Sequence, residues 1–253
     1  MKIMPVTYTP VFTSNGRTYD TGHNEGIGTI TFMFRKDLDW NRFTKYAVQH
    51  FKDKEKVNFV QFACSDGSEA YSQIITLLEN HPDDAKKFFP IHAYDIDDVI
   101  IKAAQSGNVN LCPSDIIDMG DNIFKKYFKK AKKEMVIEND SMPYEIFGNH
   151  SIISLSTYEV SPQLTKHVQF EKQDMYYKLY QLKDNSDTII MCRNILGYMN
   201  NKEVDFYTDL LSQKLKKDSL FVIGATDINN TNIEGYLMRK GFIRIMDNVY
   251  QKI

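Results

Sequence analysis

From Val57 to Gly224 one order recurs: an apolar, β-prone run, a polar turn, then residues at helical spacing. Val57 to Cys64 (VNFVQFAC) leads through Ser65-Asp66-Gly67-Ser68 into Glu69 to Glu79 (EAYSQIITLLE). Phe89 to Ile96 (FPIHAYDI) leads into a short helical stretch, Asp98 to Gln105, closed by Ser106-Gly107 as a C-cap. Further along, Val168 to Phe170 reads as a short strand and Thr188 to Cys192 (TIIMC) as a buried one. Glu203 to Leu215 reads as a helix with Phe206, Leu210 and Leu211 on one face, and Leu220 to Gly224 as another buried strand. The chain closes on FIRIM-DN-VYQKI, two strand segments across a turn-prone Asp247-Asn248 pair. Alternation of this kind predicts an α/β chain: a doubly wound, mostly parallel sheet edged by an antiparallel C-terminal hairpin.

Other stretches are less regular. Leu38 to Phe51 spaces Trp40, Phe43, Ala47 and Phe51 as one helical face that packs on a sheet. Between Val109 and His150 the pattern gives helical pieces around Ile116 and from Phe124 to Met135. The six lysines within residues 124–133 read as the solvated side of that second helix, with RNA phosphates or an acidic helix as the rival reading. Residues 1–28, rich in Thr, Gly, Asn and Pro, read as an irregular arm with room for one short strand, leaving 29–253 as one domain.

Composition removes several classes of function. With 31 Lys+Arg against 33 Asp+Glu the net charge is −2, so no global field draws the chain to nucleic acid or an anionic membrane. Cys64, Cys112 and Cys192 form no CxxC pair, and the histidines at 23, 50, 81, 92, 150 and 167 show no HExxH spacing, so neither a disulfide framework nor a metal site is expected. No run of about 18 apolar residues and no signal-peptide pattern is visible, and the expected location is the cytoplasm.

In open α/β sheets ligands bind beyond the carboxyl ends of the strands, so the residues after each strand carry most weight. The turn from Ala63 to Glu69 has one glycine and an acid, which suits hydroxyl or ammonium groups and not a pyrophosphate. Asp95, at the end of the next strand, is placed to accept the two hydroxyls of a ribose. A nucleoside without phosphate fits both, and S-adenosylmethionine is the candidate. The bland alternative is that both acids simply sit at helix N-termini.

The third turn, Cys192-Arg193-Asn194-Ile195-Leu196-Gly197-Tyr198, resembles the C-R-N-x-x-x-Y-[FM] motif of CheR-type chemotaxis-receptor methyltransferases. ACSDGSEAYS at 63–72 is similar to that family's [GA]-C-S-x-G-E-E-P-Y-S, and AYDIDDVIIKAAQSG at 93–107 to its A-x-D-I-D segment. Thr29 to Arg35 (TITFMFR) resembles N-x-T-x-F-F-R, and QFEKQDM at 169–175 sits where the family has a strand leading to the adenine. The motifs stand in the family's order over residues 29–253. Departures are Thr29 for Asn, Met33 for Phe, Ser68 for the first Glu and Ala70 for Pro.

The resemblance implies a class I methyltransferase fold and S-adenosylmethionine as cofactor, with S-adenosylhomocysteine as product. It implies that Ala63, Glu69 and Asp95 line the cofactor site, with Asp95 on the ribose and Asp174 with Met175 beside the adenine. Thr31 and Arg35 would reach the methionine end, and Arg193, Asn194 and Tyr198 would border the space where the methyl group leaves. The reaction implied is transfer of a methyl group to a glutamate carboxylate of a protein such as a chemoreceptor-like helical protein. A carboxylate is ionised at neutral pH, so positioning and exclusion of water suffice without a strong base. Arg35 or Arg193 would orient that carboxylate by bidentate hydrogen bonds, with Tyr198 shaping the channel. The family's N-terminal helical domain, which helps recognise the receptor, is expected to be lacking here. Transfer to RNA or a small molecule, and a non-catalytic binder on the same fold, stay open as alternatives.

Overall fold

A computed structural model describes residues 13–14, 17–18, 31–133, 156–182 and 186–253. Of the arm, only two short strands are described, Thr13–Ser14 paired antiparallel with Arg17–Thr18. The elements that follow in chain order are α1 (Trp40–His50), β1 (Asn58–Phe62), α2 (Ser68–Asn80), β2 (Ile91–Asp95), α3 (Asp98–Gln105) and β3 (Asn108–Leu111). Next come α4 (Pro113–Met119), α5 (Asp121–Tyr127), β4 (Phe128–Lys130), β5 (Ser156–Val160), β6 (Val168–Lys172), α6 (Met175–Tyr180) and β7 (Thr188–Cys192). The chain ends with α7 (Asn201–Lys214), β8 (Leu220–Val222), α8 (Ala225–Asn230), α9 (Ile233–Arg239), β9 (Phe242–Met246) and β10 (Val249–Lys252).

Seven strands form one sheet in the order β9-β10-β8-β7-β1-β2-β6. The five from β8 to β6 run parallel, and β10 and β9 close the edge as an antiparallel hairpin turned at Asn248, whose φ is +63°. This is the Rossmann-like, doubly wound, mostly parallel sheet with an antiparallel C-terminal hairpin that the sequence predicts. Because side chains alternate along a strand, each central strand feeds two cores. Phe59, Ala93, Ile189 and Met191 pack with Phe43, Ala47, Tyr71 and Ile74 of α1 and α2 on one face. Val60, Phe62, Tyr94, Ile190 and Phe221 pack with Val204, Tyr207 and Leu211 of α7 and Leu237 of α9 on the other. Among the described residues no helix is long and apolar enough to cross a membrane.

Two local expectations are corrected. The helix expected from Phe124 to Met135 stops at Tyr127, and Phe128–Lys130 turns into a strand of a separate three-stranded antiparallel sheet ordered β3-β5-β4. A continued helix would stack Lys125 on Lys129 and Lys126 on Lys130, like charges four residues apart. The strand instead places Lys129 opposite Glu159 and buries Phe128. In α7 the buried side is Val204, Tyr207, Thr208 and Leu211, and Phe206 is 54% exposed. The Asn200–Glu203 capping box starts the helix at Asn201, and the period from Val204 then turns Phe206 outward.

Candidate functional site

The neighbours of β1 in the sheet are β2 on one side and β7 on the other, so the connections leaving β1 and β7 diverge and open a crevice at their carboxyl ends. The turn after β1 lines it. Ala63 and Ser65 both have φ of +51° and Gly67 +91°, so three residues of the turn are left-handed. Gly67 is required: a Cβ there would lie 2.4 Å from the Phe170 ring. The tight backbone brings the N–H of Ser65 to donate to Asp95 Oδ2 at 2.9 Å, while Asp97 N–H donates to Oδ1 at 3.1 Å. Burial pushes the Asp95 carboxyl up, with those amides pulling the other way. The carbonyl of Asp95 accepts from Gln173 N–H at 2.8 Å, which sets Asp174 and Met175 next to it at the end of β6. Asp174 caps α6 through Oδ1, which accepts from Tyr177 N–H at 2.9 Å; its Oδ2 is buried with no hydrogen-bond partner. Met175 is half-buried against the core on the α7 side of the sheet.

The second half of the site is a cluster of charge. Glu69, in the first turn of α2, has a side chain only 7% exposed and stands 2.9 Å from Arg193 Nη1 and 3.7 Å from Arg35 Nε. The Arg193 contact is close but not aligned as a hydrogen bond, so Glu69 Oε1 keeps unfilled acceptor capacity. The Arg193 side chain is 0% exposed, lies over the Trp40 ring at 5.2 Å, and donates to Asp37 Oδ1. Arg35 is 21% exposed. Thr31 begins the same segment, half-buried.

The third turn is locked from behind. Asp227, fully buried, accepts the N–H groups of Asn194 at 2.8 Å, Gly197 at 3.0 Å and Gly224 at 2.8 Å. Burial pushes its carboxyl up, against the pull of those amides and of Arg193. Asn194, at φ +58°, turns its Oδ1 back to accept from Thr226 N–H at 3.1 Å, against Gly224, where a Cβ would lie 2.3 Å from that oxygen. Tyr198 follows at 40% exposure.

Arg35, Glu69 and Arg193 thus meet in one cluster, and Ala63, Asp95, Asp174 and Met175 share the adjoining strand ends. Asn194 and Tyr198 lie on the turn beyond, where the Asn194 side chain is engaged by the chain itself. Sequence reasoning passed over Asp37 and Asp227. Asp227 stands three residues after Gly224, where an acid can reach back to the N-cap N–H, a spacing that could have flagged it; Asp37 carries no local signal. Trp40, whose spacing predicts only packing on the sheet, also lies against Arg193.

The family model for the CheR methyltransferase, SAM binding domain, matches residues 29–156 and 145–239. No curated protein matches in sequence. Among solved structures, an S-adenosylmethionine-dependent methyltransferase from Clostridium acetobutylicum shares 14% identity over 76% of this chain and 52% of its own, with a TM-score of 0.35. This chain therefore spans about half the length of that one. Magnesium protoporphyrin IX methyltransferase from Synechocystis, with bound SAM, shares 13% identity over 90% of this chain and 87% of its own, with a TM-score of 0.39. Phosphoethanolamine N-methyltransferase 2 from Haemonchus contortus shares 13% over 81% and 37%, also at 0.39.

Proposed function

The chain belongs to the CheR methyltransferase family, and we propose that it is an S-adenosylmethionine-dependent methyltransferase whose acceptor is a glutamate carboxylate of a protein. The residues present suit the cofactor. Two buried carboxylate oxygens, Glu69 Oε1 and Asp174 Oδ2, lack hydrogen-bond partners, and an orphaned buried acceptor is costly unless a ligand donates to it. Glu69 would take the ammonium group, Asp95 the ribose hydroxyls, and Asp174 with Met175 the adenine, with Thr31 and Arg35 at the methionine end. When bound, the cofactor supplies a methyl group on a positively charged sulfur.

The chain's own residues then have to bring an ionised carboxylate into line and keep water out, for which no general base is required. Of the two arginines expected to orient it, the geometry favours Arg35: it is partly exposed, whereas Arg193 is buried between Asp37 and Glu69 and acts by holding them. Tyr198, half-exposed at the mouth of the third turn, borders the channel. The observation that carries this reading is the Arg35–Glu69–Arg193 cluster at the switch point, in which Arg35 is the partly exposed cation that can meet a carboxylate without a titrating base.

The test is to incubate the protein with methyl-labelled S-adenosylmethionine and an extract of its source cells. Methyl esters of carboxylates release volatile methanol in mild base, so base-labile label on a protein band is expected. Label that survives base, or label only in RNA or small molecules, overturns the carboxylate acceptor.

A further inference from the structure

Asp37 lies two residues past Arg35 and gathers three distant parts of the chain. Its Oδ1 accepts from Arg193, beyond β7. Its Oδ2 accepts from Ala225 N–H at 2.9 Å, at the start of α8 beyond β8. Its carbonyl accepts from the Asn248 side chain, in the turn of the β9–β10 hairpin. The strap that carries it, residues 31–39, is pinned again where Met33 N–H donates to Asp115 Oδ1 at 3.0 Å, Phe34 N–H to Ser72 Oγ at 2.9 Å and Trp40 Nε1–H to the Arg35 carbonyl at 3.0 Å. Arg35 therefore reaches Glu69 from a backbone whose far end Asp37 fixes.

We propose that Asp37 is a positioning residue for the methionine end of the cofactor, setting both the placement and the charge of the Arg35–Glu69–Arg193 cluster; this rests on the cofactor reading above. Two guanidinium groups and two carboxylates meet there. Without the charge of Asp37 the cluster would be one charge more positive. That matters for this cofactor in particular. S-adenosylmethionine bears an ammonium, a carboxylate and a sulfonium, a net charge of about +1, whereas S-adenosylhomocysteine has lost the sulfonium charge and is neutral overall. Arg193 acts through the same route, since it holds Asp37 and Glu69 from the buried side. Asp37 is itself kept ionised: burial pushes its carboxyl up, but Arg193, the Ala225 N–H and Arg35 outweigh that and leave it below the usual carboxylate range.

The experiment is calorimetric titration of adenosine, S-adenosylhomocysteine and S-adenosylmethionine into the wild type, Asp37→Asn and Asp37→Glu. Adenosine has no methionine end, so its affinity should be the same for all three proteins. Asp37→Asn should weaken S-adenosylhomocysteine and should weaken S-adenosylmethionine by about tenfold more, because one unit of charge at close range in a partly buried site is worth at least that factor. Asp37→Glu, which keeps the charge, should restore the wild-type ratio of the two. Equal losses for all three ligands would show general damage to the fold and overturn the proposal, as would no loss at all. A wild type that binds none of the ligands would overturn the cofactor reading instead. The clamp is then read without ligand: Asp37→Asn should speed amide exchange over residues 33–40, and unchanged exchange there would overturn it.

Discussion

The turn between β1 and α2 has acids on two sides, and they meet opposite fates. On the side facing the strap, Asp37 and Glu69 are buried against Arg35 and Arg193. On the side facing the small sheet, Asp66 and Asp115 are buried against neutral donors: Ser68 N–H at 3.0 Å and Oγ at 2.7 Å for Asp66, with an Asn110 N–H, and Met33 N–H at 3.0 Å, Cys112 N–H at 2.9 Å and Cys112 Sγ at 3.0 Å for Asp115. Burial pushes Asp66 up to about 6 and Asp115 above the usual range, while the arginines hold Asp37 below it. All four are acids in low-dielectric surroundings, so burial alone does not decide their charge. A neighbouring cation decides it for Asp37, whereas Asp66, which the Asn110 N–H ties to the inserted sheet, is met by neutral donors.

The largest expected effect comes from removing the cation that makes the difference. Arg193→Met leaves Asp37 and Glu69 buried with half their positive charge, and breaking a buried pair in this way costs about 3–5 kcal/mol. Urea unfolding at neutral pH should show a loss of that order; a loss under about 1 kcal/mol, the range of a surface pair, would mean that the cluster is solvated and the contrast between the two sides is not electrostatic.

The opposite side predicts a pH effect of opposite sign to the usual acid. Asp66 titrates near 6 when folded and near 3.8 when unfolded, so the native state binds its proton more tightly. Its ionisation costs stability that is fully felt above about pH 6 and is relieved as pH falls toward 4, by at most about 3 kcal/mol. Relative to Asp66→Asn, the wild type should therefore gain stability between pH 7 and pH 4.5 in urea unfolding. A difference between the two proteins that stays constant with pH would show that Asp66 is not the proton-binding group.

The smallest effect sharpens the geometry of the third turn. Gly224→Ala places a Cβ against the Asn194 side chain, which must move off Thr226 N–H, at a cost of about 1–3 kcal/mol. Melting should fall accordingly while the strands stay intact. An unchanged melting temperature would mean that Asn194 is loosely held and can swing toward a ligand.

The same contrast explains what could be seen from sequence. The parallel strands were legible because each is a short apolar run ending in a polar turn, as in VNFVQFAC before Ser65 or TIIMC before Arg193. The candidate residues Glu69 and Asp95 were legible for the same reason, standing next to those turns, while Arg35 was legible only through the family motif that TITFMFR resembles. The small sheet was not. Its strands NVNL and STYEV are half polar and gain their partners only across a long insertion, so neither period nor propensity marks them. Asp37 was illegible for a stronger reason: its partners Ala225 and Asn248 lie 188 and 211 residues away, and nothing near Asp37 in the chain announces them.

The central claim is that the ends of β1, β2 and β7 form a cofactor site organised around Asp95 and the arginine-bound Glu69. The most direct measurement is calorimetric titration of S-adenosylhomocysteine into the wild type and Asp95→Ala. Saturable binding is expected, weakened by about ten- to a hundredfold in the variant through loss of hydrogen bonds to an ionised acceptor. Equal affinities in the two proteins, or no heat with the wild type, would contradict the account.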